Sequence, residues 1–291
     1  MINVLKQWRR FTLLTVCLLL TLTPTLNAAE KRIDYPLNSA VYQWYGFLDS
    51  RNLTKEKQAQ YPNVDFQELK DAKVIQGAHH LLSIVPIKQD NKIAEVEVEL
   101  EFLPKITDTN EVYGYYLIQT LKLDKQSGKI LSSKTLTNEK DDFTSKFRSA
   151  SAPNLIKAFI YQWTQHLDNL SVNQPNSHIS WNKHFTANTK FNAEEASTSS
   201  LADYFNLLAN TKAKTSRRAI RNLNIKPISG TDQFQIDFEY QWSLLNQYDE
   251  DELAQLGVNL VVSIENGVVI VHEYKAKYLP PVTDLGAEIR C

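Results

Sequence analysis

The chain has 291 residues, 43% of them hydrophobic and 22% charged, which suits two globular domains or one domain with an appendage. The formal net charge is −1; taking residues 1–29 away removes three of the 32 basic side chains and no acids, leaving 29 against 33, or −4. A mildly acidic surface argues against a nucleic-acid backbone or an anionic membrane as partner.

Residues 1–29 carry the three parts of a secretory signal. Lys6, Arg9 and Arg10 form the basic region, Phe11 to Leu22 the apolar stretch, and Asn27-Ala28-Ala29 the small residues of a cleavage site. The apolar stretch falls short of the roughly 20 residues that a membrane helix needs. We therefore expect a cleaved leader, an exported and periplasmic product, and no stable membrane insertion after cleavage. Secretion to the medium, or an uncleaved anchor, is the alternative. Cys17 leaves with the leader and only Cys291 remains, so no intramolecular disulfide and no thiolate zinc site can form. Cys291 is read as incidental rather than as a cross-link, since chain ends are usually mobile.

After Pro36, residues 38–51 read as a helix, with Val41, Trp44, Tyr45 and Leu48 on one face. Its Tyr42-Gln43-Trp44 and Leu48-Asp49 recur as Tyr161-Gln162-Trp163 and Leu167-Asp168, each 119 residues later. Internal repeats of this kind decide a fold before any local reading does. Residues 54–73 are polar, with a short helix around Phe66 and Leu69. A strand follows over 79–87. From Ala94 to Phe102, apolar residues alternate with Glu95, Glu97, Glu99 and Glu101, the pattern of a strand with one wet face. Residues 112–123 and 129–137 pair as antiparallel strands across the turn 124–128.

The charged, serine-rich stretch 138–152 reads as a linker. It would join two separately folded units, 30–137 and 153–281, with 282–291 as a tail. Beyond it, Ile156, Phe159, Ile160, Trp163, Leu167 and Leu170 make a second helical stripe. Residues 179–185 read as a short helix, 188–200 as a polar connection and 201–209 as a further helix. Strands return at 225–228, 234–242, 258–264 and 268–278, the last two joined by the hairpin turn Glu265-Asn266-Gly267.

A long helix ending in Leu-Asp, shorter helices, then an antiparallel four-stranded meander resembles the SnoaL-like, or nuclear transport factor two-like, superfamily. Residues 154–278 carry the whole pattern and 38–137 a shortened one. The resemblance implies an α+β fold of two tandem cone-shaped domains, each with N-terminal helices on a curved antiparallel sheet and a pocket at the open end. The superfamily includes isomerase-like and cyclase enzymes and many members that only bind or scaffold, so fold alone does not choose between them.

Among single residues, His272 shares a strand face with Tyr274 and Tyr278 in the alternation of 268–278. Pointing into the cone, it would be either a general base near neutral pH or a core histidine, and the second is preferred. Asp168, paired with it as a candidate catalytic residue, and Asp49 are read first as local caps. Trp163, Tyr240, Tyr274 and Tyr278 are the candidate ligand-lining residues, with Trp163 and Trp44 read first as wedges that fill the cones. His79-His80 makes a poor metal pair because neighbouring strand residues face opposite ways, so no metal or cofactor is expected. Arg217, Arg218 and Arg221, beside Lys212 and Lys214, read as a solvated basic loop. Asn52-Leu53-Thr54 and Asn169-Leu170-Ser171 match the glycosylation pattern, relevant only in a eukaryotic secretory route. The leading functional expectation is a non-catalytic exported protein binding a small apolar ligand or an envelope protein. An acid–base enzyme built on His272, or an envelope or secretion-system assembly component, is the alternative.

Overall fold

The computed structural model describes residues 34–50, 59–66, 74–106, 111–174 and 180–280. The expected leader, both cysteines, the Asn52 glycosylation pattern and the helix expected around Leu69 lie outside the described residues, as do 281–291.

Helix α1, Tyr35–Leu48, turns Leu37, Val41, Trp44, Tyr45 and Leu48 inward, which is the stripe its sequence spacing requires. They pack on a four-stranded antiparallel sheet in the order β2-β3-β5-β6, formed by β2 His79–Gln89, β3 Ile93–Phe102, β5 Glu111–Asp124 and β6 Ile130–Lys146. A small two-stranded ribbon, β1 Val74–Gln76 with β4 Lys105–Ile106, stands beside it. Strand β3 alternates as read: Ala94, Val96, Val98, Leu100 and Phe102 are buried and the glutamates between them are half-buried. Glu95 lies opposite Lys122 on one neighbouring strand and Lys88 on the other, so opposite charges face each other across the ladder.

The stretch 138–152 departs from the linker expectation. Strand β6 continues to Lys146, and helix α2, Ser151–Ser171, begins after only four intervening residues. Polar residues hid the strand because β6 is an edge strand, where nothing requires an apolar face and charge is an advantage.

Helix α2 buries Ile156, Phe159, Ile160, Trp163, Leu167 and Leu170 against a second sheet in the order β7-β11-β10-β9-β8. Its strands are β7 Phe185–Ala193, β8 Thr215–Pro227, β9 Phe234–Leu245, β10 Asp251–Glu265 and β11 Val268–Tyr278. The hairpin turn at Asn266-Gly267 has φ of 50° and 79°, the paired left-handed residues a tight hairpin needs. Helix α3, Leu201–Thr211, is capped by Ser200, whose hydroxyl accepts from the Asp203 amide at 3.3 Å. Two expectations are corrected here. Residues 188–200 are not a plain connection, because β7 runs parallel to β11 along the sheet edge. Strand β8 starts at Thr215, ten residues before its apolar signal at Ile225.

The helices α1 and α2 pack on each other, and from Tyr35 onward the chain clusters as one compact unit. The contact is reciprocal. The Ser39 hydroxyl donates to the Ala158 carbonyl at 2.9 Å, and Tyr42 stacks on Tyr161 at 5.6 Å, each residue meeting its own counterpart 119 positions on. Tyr35 Oη donates to the Arg218 carbonyl, while Asn154, the counterpart of Tyr35, donates from Nδ2 to the His79 carbonyl at 2.9 Å. Contacts that exchange in this way mark an isologous, two-fold-like interface. No helix among the described residues is long and apolar enough to cross a membrane.

Candidate functional site

The two Leu-Asp helix ends do the same thing in both halves. Asp49 Oδ2 accepts from the His79 backbone amide at 2.9 Å, and its Oδ1 lies 2.5 Å from His79 Nδ1. Asp168 Oδ2 accepts from the Arg218 amide at 3.0 Å, and its Oδ1 accepts from the guanidinium at 2.6 Å. Each aspartate therefore fastens a helix end to the first long strand of its own sheet, through one main-chain and one side-chain bond. Local capping, the expectation for both, gives way to this longer-range latch.

Arg218 is wholly buried, not part of a solvated loop. Burial would lower its pKa, yet the Asp168 carboxylate holds it above the ordinary value. Its guanidinium lies 4.2 Å over the Trp242 ring, and the Trp242 indole donates to Ser216, which itself donates to Asp168 at 2.9 Å. A permanently protonated guanidinium cannot act as a base, so the Asp168 position is committed to an ion pair.

The interior of the second half is filled by aromatic side chains. Trp163 is completely buried, in contact with Trp181, Phe185, Phe205 and Tyr274. Tyr274 stacks on Phe191 at 4.7 Å, and Tyr240 shares a 2.8 Å hydrogen bond with the Thr164 hydroxyl. Burial raises the pKa of Tyr204, Tyr240 and Tyr274 well beyond the ordinary phenol value. Beside them, Glu195 has both carboxylate oxygens buried without a hydrogen bond of good geometry, and desolvation raises its pKa.

His272 is not in that interior. A bulge sets Val261 opposite Glu273 and Val262 opposite Val271, so His272 is the extra residue of β11. The alternation reverses there: Val269 and Val271 are buried before it, Tyr274 and Ala276 after it. His272 is half-buried and its Nε2 lies 2.8 Å from the Ser263 hydroxyl. Nothing brings it to Asp168. Tyr278, beyond the bulge, is 56% exposed, so of the four expected lining residues Trp163, Tyr240 and Tyr274 are in the core and Tyr278 is not.

Cavities open on the second half. One of about 400 Å³ lies against Asp237, Glu239, Gly257, Asn259, Lys275 and Lys277 of β9, β10 and β11. Another, of about 530 Å³, lies between β7 and the start of α3. Phe185, Phe191, Leu201 and Phe205 supply its apolar surface, with Asn182, Thr186, Thr189 and Ser199 as polar groups. The sequence hides this groove because Phe185 reads as the end of a short helix and Phe191 as part of a polar connection, both outside any repeated alternation. Among the described residues no three His, Cys, Asp or Glu side chains gather as a metal site would require. His80 stands apart from His79, with Nε2 3.1 Å from the Arg148 carbonyl.

No family model matches this chain, and no curated protein does. Among solved structures, the chain is similar to a hexachlorocyclohexane dehydrochlorinase, LinA-type3, from Novosphingobium barchaimii. Identity is 10%, the match covers 45% of this chain and 88% of that one, and the TM-score is 0.36. ActVI-ORFA from Streptomyces coelicolor matches at 11% identity over 44% of this chain and 98% of its own, with a TM-score of 0.35. A nuclear transport factor 2-like superfamily protein from Salmonella enterica matches at 9% over 47% and 99%, again at 0.35. Each spans about half of this chain.

Proposed function

We propose that this is an exported, non-catalytic binding protein of tandem SnoaL-like cones, which takes a small apolar ligand in the groove between β7 and α3. One observation carries the reading: the groove is open and faced with Phe185, Phe191 and Phe205, while Asp168, a candidate for chemistry, and Tyr240 and Trp163, candidates for lining a ligand, are held in structural contacts. Ligand sites are typically concave and mostly apolar, with a few placed polar groups, and volumes of about 300–1,000 Å³ are usual. Native mass spectrometry of protein taken from the producing cell tests it. A non-covalent adduct of small mass supports the reading, and its absence after gentle extraction counts against it. Mass analysis of the same material should place the N-terminus near Glu30 if the leader is cleaved; an N-terminus at Met1 would favour an anchored envelope component.

The acid–base reading rests on a different residue from the one the sequence suggests. Asp49 orients the His79 ring as a carboxylate orients a catalytic imidazole, but both side chains are 0% exposed. Diethyl pyrocarbonate separates the two readings. The binding reading expects His79 to stay unmodified in the folded protein, and rapid modification would favour an enzyme.

A further inference from the structure

No side chain described as lining the groove between β7 and α3 is ionisable. A charged ligand group buried against it would meet no counter-charge on the lining, which is costly. Packed against the lining residues Phe185 and Phe205 is a group of rings whose nitrogens have no partners. Trp163 Nε1, Trp181 Nε1 and both nitrogens of His166 are buried and make no hydrogen bond. The rings touch one another: His166 and Trp181 at 4.8 Å, Trp163 and Trp181 at 5.0 Å. An indole N–H can only donate, and a buried donor without an acceptor is rare enough to require an explanation. Phe205 belongs to both places, lining the groove and meeting His166 edge-on at 4.9 Å. Phe185 does the same, lining the groove and meeting Trp163 at 4.9 Å, so these two rings stand between the groove and the group of unused nitrogens.

We propose that the groove selects uncharged ligands, with an apolar body and a hydrogen-bond-accepting oxygen such as an ester or ketone, and that this oxygen is met by the donors around His166. Phe205 is half-buried, and on this proposal its side chain turns aside when the ligand enters. The inference rests on the reading of the groove as a ligand site and adds the chemical class. His166 suits the role because burial alone lowers its pKa to about 4, so it is neutral at ordinary pH and offers one donor without a charge.

The test uses the full mature chain and Nile red, a neutral dye with a carbonyl acceptor, displaced by three ten-carbon probes. Methyl decanoate should displace the dye at concentrations at least about tenfold below those needed for decanoate or decylammonium. Ala202, exposed on the groove wall, provides a variant that leaves the core alone. Ala202→Lys should admit decanoate and narrow that gap. His166→Phe keeps a ring but removes both nitrogens, and should weaken methyl decanoate about threefold or more. Equal displacement by ester and carboxylate in the unaltered protein would overturn the class while leaving the groove as a site. Unchanged ester affinity in a folded His166→Phe would overturn the role of the ring donors. Failure of Nile red and of every probe to bind would remove the groove reading and this inference together.

Discussion

Asp49 and Asp168 hold equivalent places, yet one faces an imidazole and the other a guanidinium. What the two positions share is the main-chain bond and a nitrogen-bearing side chain beside it, a requirement of fastening rather than of chemistry. Breaking a buried pair from one side leaves an uncompensated charge, so Arg218→Met should cost about 3–5 kcal/mol in urea unfolding. Adding Asp168→Leu should restore much of that loss; no recovery in the double variant would show that Arg218 acts through other contacts. Trp163→Ala should cost roughly 3–5 kcal/mol, as deletions of buried large side chains do, and an unchanged midpoint would contradict its central place. The aspartates and Trp163 were legible because they repeat. Arg218 was not, since three arginines among lysines look like a solvated loop until β8 is known to begin at Thr215. His272 was misplaced for a related reason: a bulge leaves no trace in alternation, and one extra residue turns the histidine out of the core.

Among elements, α2 shows most directly how burial sets pH dependence. His166 sits on it against Trp181, Trp163 and Phe205, and burial lowers its pKa from 6.5 to about 4. Between those values the unfolded chain binds the proton that the folded chain refuses, so stability rises with pH across the window. It is complete above about 6.5 and falls by up to about 3 kcal/mol as pH drops to 4. The buried His184 is shifted the same way by desolvation and adds to the slope. Urea midpoints at pH 7 and 4.5 should therefore separate, and His166→Phe should reduce the separation. An identical pH dependence in that variant would contradict the assignment. Strands with strict alternation, β3 and β9, could be read directly from sequence, whereas β7 and the end of β6 could not. Both lie at sheet edges, where only one neighbour constrains the side chains and polar residues are tolerated.

At the scale of the molecule, the repeat was visible as a 119-residue offset, but nothing in it said that the copies pack on one another. That follows from small details of the helix faces. Gly46 lets α2 approach closely; a Cβ there would lie 2.8 Å from Leu155 Cγ and 3.1 Å from the Leu155 amide nitrogen. Gly46→Leu should therefore destabilise by about 1–3 kcal/mol through overpacking. With the reciprocal bonds of Tyr35 and Asn154 intact, the two halves should unfold together in one calorimetric transition. Two resolved transitions in the unaltered protein would show that the helix contact is too weak to couple them.

The groove is the place where we propose that this architecture meets a ligand, and occupying it from within the chain tests that claim most directly. Ala202 lies exposed on its wall in the first turn of α3, so Ala202→Trp should place an indole in the groove without disturbing the core. Nile red emission would be titrated with both proteins at equal urea midpoints. The account predicts saturable enhancement with the unaltered protein and at least about a tenfold loss of affinity in the variant. Equal binding by the two would place the ligand site elsewhere and contradict it.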